Sequence, residues 1–384
     1  MLRTHSLHFL LALGLIARSL AAQTPADELQ SHLTKARSLA GAAFLTTEEI
    51  QCDELGMDNP YRPASKEKDL PPTQVFDNLY YIGTTDVGAW AIKTSAGVIL
   101  INALHTDAAK SVLLSGLKKL GLDPADVRYV IVTEATGDHF GGAKYFQDKY
   151  AAQVIMSAAD WDAAARVSAS SPRRSSGDSG MEGGGGSRRG GGGGGGGGMG
   201  GRGGRGGGGG FGGGRGGGGD GYGRGGGSGY VGGERAENPK TDEVPQHDQV
   251  ALDGETFTLG DETITVVLTP GHTAGSLSVL IPVKNHGQPH VAAIVGGTEA
   301  PTSNTLRSEF VTSMQHLAKV ADAAHVDAEL SSHPFVDNSI ARMDTLRRAT
   351  AGAGNPFVIG SEGFQRYLSL LGECGWVSVL RGER

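Results

Sequence analysis

Of the 384 residues, 64 are glycine, and 39 of these fall within the 57 residues from Gly177 to Gly233, which leaves an ordinary globular share elsewhere. The formal net charge is −7, and becomes about −10 once this segment, with six arginines against three acids, is set aside. These figures exclude a uniformly basic nucleic-acid protein, and the lack of a Gly-x-y period with proline excludes collagen.

The chain opens with Arg3, an apolar run from Leu7 to Ala17, and the small residues Ser19-Leu20-Ala21-Ala22. Residues 1–22 therefore read as a secretory signal, whose apolar run is too short to span a bilayer as a stable helix. No later stretch reaches 18 consecutive apolar residues, so the mature protein is expected in the periplasm or outside the cell, free of the membrane. In such a compartment Cys52 and Cys374 either bridge or remain separate thiols, and both readings stand. Neither lies in a Cys-x-x-Cys spacing, which argues against a thiolate metal site.

Residues 23–71 read as a polar leader rich in Pro, Asp and Lys. Beyond it, Val75–Ile82, Ala89–Lys93 and Gly97–Ile101 predict strands. Thr106–Leu120 predicts a helix with Ala109, Leu113, Leu117 and Leu120 on one face, closed by Gly121. Val127–Thr133 predicts a buried strand, Gly141–Tyr150 a helix and Gln153–Met156 a strand. Ser157 then opens a helix, with Asp160 as a variant of the capping box. After the glycine segment come strands at Glu255–Thr258, Thr263–Thr269, Ser276–Pro282 and Val291–Val295. Helices follow at Leu306–Ala323, Ser339–Ala351 and Glu362–Gly372. This alternation predicts one α/β layered domain in two halves, 72–176 and 246–384. They are interrupted by a Gly/Arg-rich insertion, 177–245, too poor in apolar residues to offset the cost of ordering. Its Arg-Gly-Gly elements at Arg202, Arg205, Arg215 and Arg224 resemble segments that bind RNA, yet an excess of about three positive charges gives weak electrostatic binding, and no nucleic-acid partner is expected.

Three strings carry chemistry. Val130 to Gly142 ends a buried strand at Thr133 and places Asp138 and His139 in the loop beyond, where α/β domains put ligand sites. By itself it fits equally a helix cap at Asp138 and a neutral surface imidazole at His139. Thr269-Pro270-Gly271-His272-Thr273-Ala274-Gly275-Ser276 places His272 between two strands, and Ser332-His333-Pro334 follows a short apolar run.

Together, in order, spacing and flanking residues, these strings and Asn78-Leu79-Tyr80-Tyr81-Ile82-Gly83 resemble the metallo-β-lactamase superfamily, most closely its third subclass of β-lactamases. The resemblance runs from about Pro72 to Leu371 apart from the glycine tract. It implies an αββα sandwich with a dizinc site at one edge of the sheets. The usual His-x-His-x-Asp-His motif here carries Glu134 and Thr136 in place of its first two histidines. The resemblance assigns Asp138, His139 and His333 to the retained zinc site, with Asp138 also catalytic, and His272 with Glu134 to a weakened partner site. Zinc accepts carboxylate oxygen, so Glu134 is admissible, whereas the short neutral hydroxyl of Thr136 is a poor donor. A two-histidine, one-carboxylate set leaves a position open for water.

Two further departures bear on β-lactams. Gly297 and Glu299 stand where the subclass often has serines that hold the substrate carboxylate. Ile101-Asn102-Ala103-Leu104 replaces Ile-Asp-Gly-Gly, and the missing carboxylate is expected to weaken support of the metal loop. His105 reads as a helix-entry residue or a substitute ligand. His286 and His290, around the turn Asn285 to Pro289, are expected to face solvent. The expected function is an exported zinc hydrolase acting on an amide (β-lactam-like) or ester bond of a small-molecule substrate. The alternatives are a catalytically degenerate binding or scaffold protein of the same fold, and a surface-interaction protein acting through the glycine tract.

Overall fold

The computed structural model describes residues 24–52, 68–170, 242–297, 303–350 and 352–382, with backbone only at 167–170. The signal segment, the glycine tract and Glu299 lie outside the described residues.

The stretch read as a leader carries two helices. Thr24 caps α1 (Pro25–Ala40) in a capping box with Asp27, with Pro25 in the first turn. That signal stands in the sequence. A turn leads to α2 (Leu45–Gln51), whose C-cap is Cys52. Cys52 is bridged to Cys374.

A seven-stranded sheet follows in chain order: β1 (Thr73–Phe76), β2 (Leu79–Gly83), β3 (Gly88–Thr94), β4 (Gly97–Ile101), β5 (Val127–Ile131), β6 (Gln153–Ser157) and β7 (Gln249–Ala251). The first four are antiparallel and the pairs from β4 to β7 parallel. The single strand expected at Val75–Ile82 is instead a hairpin. Asp77 and Asn78 make its turn, with the Asp77 carboxylate accepting the amides of His286 and Gly287 at 3.1 and 2.8 Å. The first long helix is divided into α3 (Thr106–Ala108), a π turn (Ala109–Leu113) and α4 (Leu114–Lys119). Beyond β5 lie α5 (Gly137–Phe140) and α6 (Ala143–Tyr150), and α7 (Ala158–Ser170) follows β6.

The second sheet holds β8 (Thr256–Leu259), β9 (Glu262–Leu268), β10 (Leu277–Asn285), β11 (Gln288–Ile294) and β12 (Ala328–Leu330) in spatial order β12-β11-β10-β9-β8. Around it run α8 (Asn304–Ala323), α9 (Ser339–Arg348) and α10 (Ser361–Gly382). The last helix extends ten residues past the predicted end. Its Gly375 lets α8 approach, since a Cβ there would lie 2.8 Å from Val311 Cγ2. This packing offsets the helix-breaking tendency of glycine.

Period-two alternation builds the layers. Leu79, Tyr81, Trp90, Ile92, Ile99 and Ile101 face the second sheet, where Ile264, Val266, Val279 and Ile281 meet them. The alternate residues Tyr80, Ile82, Ala89, Ala91, Val98 and Leu100 pack outward on Leu113, Leu117 and Phe146. On the opposite outer face, Val267, Leu280 and Ala293 pack on Ala36, Phe310, Leu317 and Phe364. The result is a helix-sheet-sheet-helix sandwich, the αββα architecture expected. At one edge the loops of the two sheets are tied together. Leu277 N donates to Thr133 O at 2.9 Å, Gly88 N to Ser332 O at 2.8 Å, and the buried Trp90 indole to Ser331 O at 3.1 Å.

Candidate metal centre

Loops at that edge bring five ionisable side chains to one place. The turn after β5 and helix α5 supply Glu134, Asp138 and His139, the β9–β10 loop supplies His272, and the loop after β12 supplies His333. His139 Nε2 lies 3.0 Å from Glu134 Oε1 and 3.1 Å from His333 Nε2. Asp138 Oδ2 lies 3.6 Å from His139 Nε2 and 3.7 Å from His333 Nε2. His272 Nε2 is 3.8 Å from Glu134 Oε1. Ligand atoms of Glu134, His139 and His333 lie within 4.8 Å of one another, so Glu134 stands beside these two histidines as well as beside His272.

The hydrogen bonds behind the imidazoles fix their tautomers. His333 Nδ1 faces the Asp86 carbonyl at 2.9 Å, and a carbonyl only accepts, so Nδ1 carries the proton. Asn102 Oδ1 accepts both Thr133 N at 2.9 Å and the Thr133 hydroxyl at 3.0 Å. With its proton so used, Thr133 Oγ1 accepts from His139 Nδ1 at 3.2 Å. Both Nε2 lone pairs therefore point inward. Two lone pairs 3.1 Å apart repel unless positive charge lies between them.

The donor set fits a metal cation. Tetrahedral zinc with bonds near 2.0–2.1 Å places its ligand atoms about 3.3 Å apart, and the spacings of 3.0–3.7 Å from His139 to Glu134, Asp138 and His333, and from Asp138 to His333, bracket that value. Glu134 is buried, and its Oε2 has no hydrogen-bond partner among the described residues. Burial pushes its carboxyl up, but His272, His139 and His333 outweigh this and hold it below the ordinary range. Burial likewise raises Asp138, and His139 and His333 more than offset it, leaving the carboxylate ionised. Burial lowers His139, which favours the neutral, ligating imidazole.

Supporting residues correct several expectations. Asn102 does not leave the loop unsupported. Fully buried, it holds Thr133 as above, and its Nδ2 donates to Ser332 Oγ at 2.9 Å, so one amide links the loops of His139 and His333. Asp160 forms half of its capping box. Its amide donates to Ser157 Oγ at 3.2 Å, while its carboxylate accepts from Thr273 Oγ1 at 3.1 Å and braces the His272 loop. Burial pushes Asp160 up to about 7. Gly297, with φ +76, lies against His272, and a Cβ there would come within 2.7 Å of His272 Cβ. His105 flanks α3 and pairs through Nδ1 with Asp242 at 2.9 Å, outside the cluster. Thr136 is the N-cap of α5 without a side-chain capping bond. His286 is exposed as expected, but His290 is half-buried and pairs with Asp327 at 2.6 Å. The roles of Thr133, Asp86 and Asp242 went unread, since each acts through a contact with a residue distant in sequence or through its backbone.

The profile of the metallo-beta-lactamase superfamily matches residues 83–286, more than half of the chain. The chain belongs to the metallo-beta-lactamase superfamily. Among solved structures, native FEZ-1 metallo-beta-lactamase from Legionella gormanii superposes with a TM-score of 0.57 at 20% identity, covering 83% of this chain and 99% of that one. The class B3 di-zinc metallo-beta-lactamase LRA-12 from an Alaskan soil metagenome gives a TM-score of 0.52 at 18% identity, covering 80% and 95%. A B3 metallo-beta-lactamase described as the first with an active-site glutamic acid gives 0.52 at 20%, covering 83% and 93%. At these identities the likeness to solved structures establishes the shared metallo-beta-lactamase fold.

Proposed function

We propose that this protein is an exported metal-dependent hydrolase that cleaves an amide bond of the β-lactam type, or an ester bond, in a small-molecule substrate, with zinc as its cofactor. The observation that carries this reading is the convergence of Glu134 Oε1, His139 Nε2 and His333 Nε2, with Asp138 beside them, at the loop edge of a metallo-beta-lactamase fold. The di-zinc relative supports zinc as the metal, and the relative with an active-site glutamic acid supports a carboxylate in such a site. When bound, zinc supplies a Lewis acid that polarises a carbonyl and lowers the pKa of a water to about 7.

The chain's own groups divide the remaining work. Glu134, His139 and His333 hold the metal, their orientation set by Thr133, Asn102 and Asp86. Asp138 stays ionised and its side chain is 23% exposed against 2% for Glu134, so it is the carboxylate that substrate and water reach and the one placed to accept a hydrogen bond from a water and orient it. His272 and Glu134 bind a second cation weakly, because Thr136 offers no imidazole. The disulfide between Cys52 and Cys374 supports export to an oxidising compartment.

Zinc-loaded protein assayed on a cephalosporin, a penem and simple aryl esters tests the proposal. Turnover of at least one class, lost in Asp138→Ala and His333→Ala, is the expected result. Zinc uptake with no turnover of any of them would favour the catalytically degenerate alternative to which Thr136 points.

A further inference from the structure

The residues that follow the glycine tract do not simply return the chain to β7. Asp242 Oδ1 accepts the backbone amide of Thr106 at 2.8 Å, and its Oδ2 meets His105 Nδ1 at 2.9 Å. The same carboxylate lies against the backbone of the metal loop. A Cβ on Gly137 would stand 2.0 Å from Asp242 Oδ2, and one on Gly141 would stand 2.5 Å from Oδ1. These two glycines bracket α5, which carries Asp138 and His139.

A lattice of short bonds surrounds the contact. Thr106 Oγ1 donates to Gly141 O at 2.7 Å and accepts from Glu243 N at 2.8 Å. Ala103 N donates to His139 O at 2.8 Å, and Gly142 N to Leu104 O at 3.0 Å. Farther along, Gln246 and Gln147 exchange two bonds, at 2.8 and 2.9 Å. The loop after β4, the metal loop and the strand end after the insertion therefore form one hydrogen-bonded unit, with the Asp242 carboxylate in its centre.

We infer that Asp242 is a positioning residue for the metal loop, holding Asp138 and His139 toward His333, and that the functional boundary of the insertion lies just before it. The inference rests on the metal-centre reading above. A carboxylate is suited to the position because its two oxygens serve two donors at once while it packs on bare glycine backbone. Alanine would leave the Thr106 amide without its acceptor and free the turn to move, and outer partners of metal ligands commonly change affinity by about 10- to 100-fold.

The test is zinc affinity, by competition with a chromophoric chelator, together with the absorption spectrum of the cobalt(II)-substituted protein. Five proteins are compared: the full chain, Asp242→Ala, Asp242→Asn, and deletions of residues 180–233 and of 180–242. Asp242→Ala and the longer deletion are expected to weaken zinc about tenfold or more and to change the cobalt spectrum. The Asn variant, which keeps an acceptor for Thr106, recovers most of the loss, and the shorter deletion matches the full chain. Full-chain affinity and an unchanged spectrum in Asp242→Ala would overturn the inference, even if that variant melts at a lower temperature. If the full chain itself takes up no zinc, the metal-centre reading fails first and this one with it.

Discussion

Replacing Thr133 by valine probes the tautomer argument with almost no change in shape. The hydroxyl makes two buried contacts, donating to Asn102 Oδ1 at 3.0 Å and accepting from His139 Nδ1 at 3.2 Å. Asn102 keeps its bonds to Thr133 N and Ser332 Oγ, so the loop backbone stays tied. Two hydrogen bonds worth about 1 kcal/mol each are lost, and an extra buried methyl returns about 0.8 kcal/mol, so the metal-free protein should lose about 1 kcal/mol of stability. The metal should suffer more. With no acceptor behind it, His139 is no longer held with Nε2 inward, and zinc affinity should fall about 10- to 100-fold, or about 1.4–2.7 kcal/mol. Chelator competition measures the affinity and urea unfolding of the metal-free protein measures the stability. Thr133→Ser restores the hydroxyl and should restore the affinity. Unchanged zinc affinity in Thr133→Val, with the stability loss present, would refute the claim that this hydroxyl orients a metal ligand.

Other expected outcomes follow from the same geometry. Removing the disulfide with Cys52→Ala and Cys374→Ala opens a loop of 322 residues and should cost about 2–5 kcal/mol in urea unfolding. Burial raises Asp160 to about 7 from an ordinary 3.8. The folded protein thus keeps a proton there that the unfolded chain releases, and this group makes stability fall as pH rises from about 4 to about 7. Asp160→Asn should remove that component, so its stability relative to the parent improves across this window; an identical pH profile for the two proteins would contradict the assignment. Thr136→His adds an imidazole beside Glu134, whose carbonyl the Thr136 amide already meets at 2.9 Å, and should raise zinc content measured by atomic emission, whereas the parent's value in the variant would show that position 136 does not face the second cation site.

Much of the fold is legible because its strands are short, nearly continuous apolar runs bounded by turns. Tyr81, Trp90 and Ile99 face the second sheet and Ile82, Ala91 and Leu100 the helices, the layering that the family resemblance implied. The metal-centre histidines were readable as local strings. What escaped the sequence depends on pairings across long separations. Asn102 looked like a lost carboxylate, yet its amide both accepts and donates, which a carboxylate cannot do. Glu134 was assigned to the partner site with His272, and its Oε1 stands between the two sets, 3.8 Å from His272 and 3.0 Å from His139. Asp242 follows a low-complexity tract and has no motif around it, so only its partners Thr106, Gly137 and Gly141 give it meaning. The hairpin at Asp77–Asn78 was obscured by polar residues whose side chains find partners in the folded protein, whereas the capping box of α1 stood in the sequence unread.

The central claim is that Glu134, Asp138, His139 and His333 form a working metal centre despite the loss of two histidines. The most direct measurement is zinc per chain in the purified full-length protein after equilibration with zinc and removal of the excess, beside His139→Ala and His333→Ala. About one tightly held zinc in the parent, lost in both variants, is the predicted result. Fewer than about 0.3 zinc per chain in the parent, or one zinc retained in both variants, would contradict it.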